Sequence, residues 1–283
     1  MCEVILALDC GGSSIKAAVI RDKEILETRL FAFPGDSRED LLGTFRAAAE
    51  WGKSWNATRI GAACPGPFDF KAGESRMVHK WQAIKDVALA PVLNEVLPGA
   101  PVRFLHDATA YMLGEAWDGA AEKMQSPVGV MLGTGFGYAL TQDRKVLLNP
   151  TGGPAVSMWN KPFKGGIVED YVSTRAIRKR YTDLTGKEIE VREIADLAHA
   201  GDETAIRVFA ETGELFAEIL STYMPEWVDG VVLGGRIALS ADLLLPYVKL
   251  NVPVIPAAHV DDAAVRGIAA YCQNDPEQLV REA

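Results

Sequence analysis

One pattern occurs twice in this chain and limits its fold more than any other feature. From Val4 to Leu26 the residues read VILALD, CGGSS, IKAAVI, RDK and the start of EILETRL. From Val128 they read VGVML, GTG, FGYALT, QDR and KVLLN. In each, two short apolar runs flank a turn of small residues, and a charged turn leads into a third run. This is the signature of an antiparallel β-meander. Its recurrence marks an internal repeat and the start of a second lobe.

The residues between the repeats alternate in type. Apolar positions Leu41, Leu42, Phe45, Ala48 and Ala49 predict a helix over Arg38–Trp55. A strand follows over Arg59–Ala63, then the rigid loop Pro65-Gly66-Pro67, a helix over Val87–Val96, a strand over Val102–Leu105 and a helix over Ala108–Trp117. After the second repeat, helices are expected over Glu169–Thr182, Val191–Ala200 and Glu203–Tyr223. Strands are expected over Gly230–Leu233 and Val252–Pro256, with a closing helix over Ala263–Cys272. Strands interleaved with helices, duplicated once, describe a two-lobed α/β protein, and 283 residues suffice for two medium domains.

Three places carry chemistry. The first turn, Asp9-Cys10-Gly11-Gly12-Ser13-Ser14, has glycines that let backbone N–H groups approach an anion, and hydroxyls that add donors. It leads into a strand and lacks the spacing of a Walker A loop, which leads into a helix. Asp9, at the strand end, is placed to hold a magnesium ion; the same glycines also suit a plain hairpin turn. The second turn, Gly133-Thr134-Gly135, repeats this architecture, and two such hairpins facing each other could hold one polyphosphate between them. The third place is Asp107, which ends the apolar strand before the next helix. A carboxylate there projects into a cleft as a general base would, although an Asp at that point also suits a helix N-cap.

The segments DCGGSSIKAAVI, ACPGPFDF, FLHDATAYMLGEAW, LGTGFGYAL and VVLGGRIA occur in an order and spacing that resembles the ROK family (repressor, open reading frame, kinase) from Val4 to about Cys272. That family comprises sugar kinases within the actin-like ATPase superfamily. The resemblance implies a ribonuclease H-like fold of duplicated βββαβα lobes around a central cleft. It places residues 1–107 and the returning segment 263–283 in the smaller lobe and 108–262 in the larger. It also implies ATP and Mg²⁺ as cofactors. Asp9, Gly11, Gly12 and Lys16 match the first phosphate motif; Gly133, Thr134 and Gly135 match the second; Gly234 and Gly235 match the loop beside adenosine. Asp107 matches the catalytic base, Glu169 the acid that hydrogen-bonds the sugar, and Pro65 and Gly66 a loop bordering the sugar. Relatives are often dimers, so a homodimer is an expectation from the resemblance alone.

The departures bear on the substrate. Many members carry a Gly-Glu-x-Gly-His motif and a cysteine cluster that bind structural zinc. The corresponding stretch here is Gly153-Pro154-Ala155-Val156-Ser157, no cysteine lies between Cys64 and Cys272, and no structural zinc is expected. Residues 151–168 contain no histidine and no acid. His106 takes the place of an asparagine beside the base and could hydrogen-bond the sugar. Trp81 could stack on a sugar face, and both also suit packing. Unpaired buried hydroxyl partners cost about 1–3 kcal/mol each, so these changes point to an altered choice of sugar.

A net charge of -9 argues against a nucleic-acid partner. No apolar run nears the ~20 residues needed to span a bilayer, and Met1-Cys2-Glu3 lacks a signal peptide's basic start. Cys2, Cys10, Cys64 and Cys272 form no C-x-x-C pair, so reduced thiols in the cytoplasm are expected. With the first phosphate strand at Val4, a repressor with an N-terminal helix-turn-helix is not expected. The competing reading is a sugar- or ATP-binding sensor without kinase activity. Polyphosphate is an alternative phosphoryl donor.

Overall fold

The computed structural model describes residues 3–78 and 80–283. The expectation for Cys2 lies outside the described residues. Cys10, Cys64 and Cys272 are free and buried.

Strands β1 (Val4–Cys10), β2 (Ser14–Arg21) and β3 (Glu24–Ala32) form the first antiparallel meander. Helix α1 (Arg38–Ser54), capped by the Ser37 hydroxyl on the Asp40 N–H, returns the chain to β4 (Arg59–Cys64), which lies parallel to β1. A short hairpin, β5 (Phe68–Asp69) with β6 (Glu74–Ser75), and helix α2 (Leu89–Asn94) lead to β7 (Val102–His106). The first sheet is ordered β3-β2-β1-β4-β7. Val4, Leu6 and Leu8 of β1 enter a core shared with α1, while Ile5 and Ala7 enter a core on the other face. Burial on both faces explains why β1 reads as an unbroken apolar run.

Helix α3 (Asp107–Asp118) carries the chain to the second meander, β8 (Pro127–Leu132), β9 (Phe136–Gln142) and β10 (Lys145–Leu148). The hairpin of β11 (Pro162–Phe163) and β12 (Gly166–Ile167) precedes four helices, α4 (Glu169–Val172), α5 (Thr174–Thr185), α6 (Val191–His199) and α7 (Glu203–Tyr223). The single helix expected over Glu169–Thr182 is therefore two, parted at Ser173, whose extended backbone starts α5 and whose hydroxyl accepts the Ala176 N–H. Strand β13 (Gly230–Gly234), helix α8 (Ala241–Leu244) and strand β14 (Val254–Pro256) complete the lobe.

The C-terminal segment divides between the lobes. Helix α9 (Ala263–Gln273) packs against β1, β4 and β7 of the first sheet. After α10 (Pro276–Leu279), β15 (Val280–Glu282) pairs with β10 and extends the second sheet, so residues 263–283 do not belong to the first lobe throughout. The second sheet runs β14-β13-β8-β9-β10-β15.

Between the two sheets, α3 and α9 cross at backbone contact. A Cβ on Gly114 would lie 2.0 Å from the Ala263 carbonyl oxygen, and one on Gly267 would lie 1.7 Å from that of Ala110. No other side chain fits either position. Among the described residues no helix is long and apolar enough to cross a membrane.

Candidate active site

The carboxyl ends of β1, β4, β7, β8 and β13 open into one cleft of about 1330 Å³. In open α/β sheets the loops at those strand ends are where ligands bind. Asp9, Lys16, Gly66, His106 and Asp107 enter the cleft from the first lobe; Gly133, Thr134, Gly135, Gly153, Glu169 and Gly235 enter from the second and its loops. Gly11, Gly12, Ser13, Ser14, Pro65 and Gly234 are not among its lining residues. Gly234 is buried beneath the Tyr111 ring.

Two carboxylates meet on the first-lobe side, and their surroundings drive them apart. Burial pushes the Asp9 carboxyl up to about 6, the charge of Asp107 pushes the same way, and Lys16 opposes both. Desolvation at the cleft wall raises the Asp107 carboxyl, but the adjacent His106, the Ala108 N–H and the charge of Lys80 together hold it below the usual range. A pair of acids separated in this way has one member kept ionised at neutral pH, as a proton acceptor must be.

The local geometry fixes which oxygen is available. Asp107 stands in the first turn of α3, with His106 as the residue before the helix. The Ala108 N–H lies 2.6 Å from Asp107 Oδ1 and 3.2 Å from His106 Nδ1, and His106 Nδ1 lies 2.9 Å from the same Oδ1. The shorter contact assigns the amide to Asp107 and frees Nδ1–H to donate to it as well. Among the described residues Oδ2 of Asp107 has no hydrogen-bond partner, and the side chain is 45% exposed through the cleft. The N-cap position of α3 belongs to His106, so Asp107 is not the residue that caps it.

The first glycine hairpin is closed by the Gly11 N–H donating to the Ser14 carbonyl at 2.8 Å, with Asp9 opposite Lys16 across the strand pair. Lys16 does not hang free. Its ammonium donates to the Asp261 carbonyl at 2.7 Å and to the Asp262 carboxylate, just before α9. The second hairpin is closed by the Gly133 N–H donating to the Gly135 carbonyl at 3.1 Å. The Thr174 N–H donates to the Gly133 carbonyl at 2.8 Å, and the Phe136 N–H donates to Glu169 Oε2 at 3.2 Å. Gly135 is required by this arrangement, because a Cβ there would lie 2.7 Å from that carboxylate oxygen.

Asn149, which also lines the cleft, shapes the loop that follows β10. Its Oδ1 accepts from the Thr151 and Gly153 N–H groups at 3.0 Å each and from the Thr151 hydroxyl at 2.8 Å. Trp159, 47% exposed, extends this wall. Trp81 is a packing residue: it is 4% exposed and meets Phe45 edge-on at 5.6 Å, away from the cleft. Sequence reasoning missed Lys80, Asn149 and Trp159 in the cleft. Only Asn149 had a local signal, the Asn-Pro dipeptide that marks a turn.

The N-acetyl-D-glucosamine kinase of Haemophilus influenzae (strain 86-028NP) is 27% identical, over 93% of this chain and 97% of its own length. The ROK hexokinase of Thermus thermophilus shares the fold with a TM-score of 0.75 at 25% identity, over 95% of this chain and 98% of its own. A ROK family glucokinase of Streptomyces griseus, crystallised with glucose and AMPPNP, gives a TM-score of 0.79 at 21% identity, over 95% and 99%. The ROK family profile matches residues 5–156 and 162–275, a span that takes in both hairpins, Asp107 and the returning helix; the chain belongs to the ROK family and has its two-lobed, actin-like ATPase fold.

Proposed function

We propose that the protein is an ATP-dependent kinase that phosphorylates a hydroxyl of a hexose or amino sugar. The observation that carries this reading is the separated carboxylate pair in a cleft lined by the Gly133–Gly135 hairpin and by Asp9 and Lys16 beside the first hairpin, with one oxygen of Asp107 without a partner among the described residues. The named relatives, a hexokinase, a glucokinase and an N-acetylglucosamine kinase, perform reactions of this class.

In this mechanism the nucleotide's phosphates lie between the hairpin at Gly11–Ser14 and the one at Gly133–Gly135, with adenosine toward Gly234 and Gly235. The sugar sits near Gly66, His106 and Gly153. Oε2 of Glu169 is held by the Phe136 amide, which leaves Oε1 for a sugar hydroxyl. Asp107 Oδ2 accepts the hydroxyl proton as the sugar oxygen bonds to the γ-phosphorus and the bond to the ADP oxygen breaks. Positioning and electrostatic stabilisation of a loose transition state supply most of the acceleration.

Mg²⁺ fits the donors at hand. A hard cation takes carboxylate oxygens, and Asp9 is a half-buried carboxylate lining the cleft whose ionisation is opposed by desolvation and by Asp107, so a cation beside it would relieve both. When bound there, the ion would neutralise charge on the phosphate oxygens.

The test is ADP release from Mg-ATP across hexoses, N-acetylated amino sugars and their derivatives, with Asp107→Ala as control. Sugar-dependent turnover that disappears in the variant is the expected result. ATP binding without stimulation by any sugar would instead favour the sensor reading, which the acid-free and histidine-free loop 151–168 supports.

A further inference from the structure

Phosphoryl transfer needs a cation at the point where charge develops. Two of the basic residues lining the cleft are already engaged. Lys16 is held by Asp261 and Asp262, and Arg236, 79% exposed, lies 3.6 Å from the Asp261 carboxylate. Lys80 is different. Among the described residues it has no carboxylate within salt-bridge distance, and it too lines the cleft.

Its position is set by its neighbours rather than by a motif. Met77 and Trp81 are buried in the first-lobe core, at 0% and 4% exposure, and pin the chain on either side of the exposed Val78 and Lys80. Trp81 takes a left-handed backbone conformation, φ 51°, which turns its ring into the core against Phe45 and Phe33. The preceding side chain then lies over the first glycine hairpin. A Cβ on Gly12 would be 3.1 Å from Lys80 Cδ, 3.2 Å from Cε and 3.5 Å from Nζ. The stem of Lys80 therefore fills the space that a side chain at Gly12 would need. Its charge also reaches Asp107, where it helps to hold the carboxyl ionised.

We propose that Lys80 is a further catalytic residue, whose ammonium contacts the phosphoryl group as it passes from the nucleotide at the first glycine hairpin to the sugar hydroxyl at Asp107. The proposal rests on the kinase reading above. Lys80 gives up no proton and forms no covalent bond. It is a point charge on a flexible stem that neutralises the equatorial oxygens during transfer and then releases them.

The experiment compares wild type, Lys80→Met and Lys80→Arg in two assays, with thermal unfolding as a check on folding. Calorimetry with Mg-AMPPNP and with AMP separates contact with the terminal phosphates from contact with the rest of the nucleotide. Sugar-dependent ADP release gives kcat and KM. Lys80→Met is expected to lose about a hundredfold in kcat, with sugar KM unchanged. It should bind Mg-AMPPNP about tenfold more weakly and AMP as wild type does, while Lys80→Arg recovers part of both losses. A variant with wild-type kcat and wild-type AMPPNP affinity overturns the proposal and leaves the kinase reading intact. Equal weakening of AMP and AMPPNP with a lowered Tm overturns it as well, since that is the mark of a structural role. A wild type that turns over no sugar yet binds AMPPNP through Lys80 overturns the kinase reading and keeps the phosphate contact. A wild type that binds neither nucleotide overturns both.

Discussion

The two glycine hairpins share a plan but differ in what surrounds them. In the first, Asp9 and Lys16 face each other across the strand pair and Lys80 lies over Gly12. The second, Leu132–Gly137, has no ionisable side chain of its own; its carboxylate neighbour, Glu169, arrives from α4 and is fixed by the Phe136 amide. Duplication thus provides two turns able to receive an anion, and the charge is concentrated on one of them. Under the proposed kinase reading, this difference would put the reacting end of the nucleotide at the first lobe and leave the second lobe to orient what it holds.

That division can be broken by comparing one acid from each side. Asp107→Asn keeps the shape of the base and removes its charge, so kcat should fall by at least about a hundredfold with Mg-AMPPNP affinity unchanged. Glu169→Gln should act on binding, raising sugar KM about tenfold while kcat changes by less than about threefold. Steady-state kinetics on both variants decides the matter. Equal losses of kcat would mean that the lobes do not divide the work.

A finer contrast lies within the second hairpin. A methyl group at Gly135 would press on Glu169 Oε2 at 2.7 Å, whereas nothing lies within 4 Å of one at Gly133. Gly135→Ala should therefore raise sugar KM about as much as Glu169→Gln does, roughly tenfold, and Gly133→Ala should do little. If both substitutions had the same effect, the Glu169 contact would not be what makes Gly135 necessary.

The smallest effect concerns stability. The Asp9 carboxyl rises from 3.8 to about 6 on folding, so the folded state keeps a proton that the unfolded state has released between those values. Stability from this group is present below pH 4, is lost as pH rises through 6, and stays lost above it. Asp9→Asn removes the cost, which is on the order of 2 kcal/mol. In buffer free of divalent cations it should raise Tm at pH 8 by roughly 5 °C. The gain should vanish below about pH 4. An equal gain at pH 4 and pH 8 would show that the charge of Asp9 is not its source.

Much of this architecture was legible because local chemistry and global packing agree. The meander strands are short apolar runs divided by turn residues, and the turns recur at Gly11–Gly12 and Gly133–Gly135. Asp107 stood out because a carboxylate ended an apolar strand. The break at Ser173 was marked only by a serine within a helical pattern, and apolar periodicity outweighed it. What that periodicity could not reveal is the pull of the Gly133 carbonyl on the Thr174 N–H across the cleft wall. Strand β15 has three residues, and its partner β10 lies more than a hundred positions earlier, so nothing nearby in the chain announces it. Lys80 was illegible for a related reason. No motif contains it, and its place over Gly12 depends on where the core draws in Met77 and Trp81. Trp81 itself could be read as stacking on a sugar or as packing, and only the rings of Phe33 and Phe45 decide between the two.

The crossing of α3 and α9 has a mechanical meaning. At Gly114 and Gly267 the two backbones touch with no side chain between them, so the helices can neither slide past each other nor move apart without losing that fit. Asp107 heads α3, and Asp262, which holds Lys16, directly precedes α9. The crossing therefore ties Asp107 and the clasp on Lys16 to one joint. A turning of one lobe on the other would therefore have to pivot at this joint rather than slide along it, since any shift along the helices drives a backbone carbonyl into a backbone.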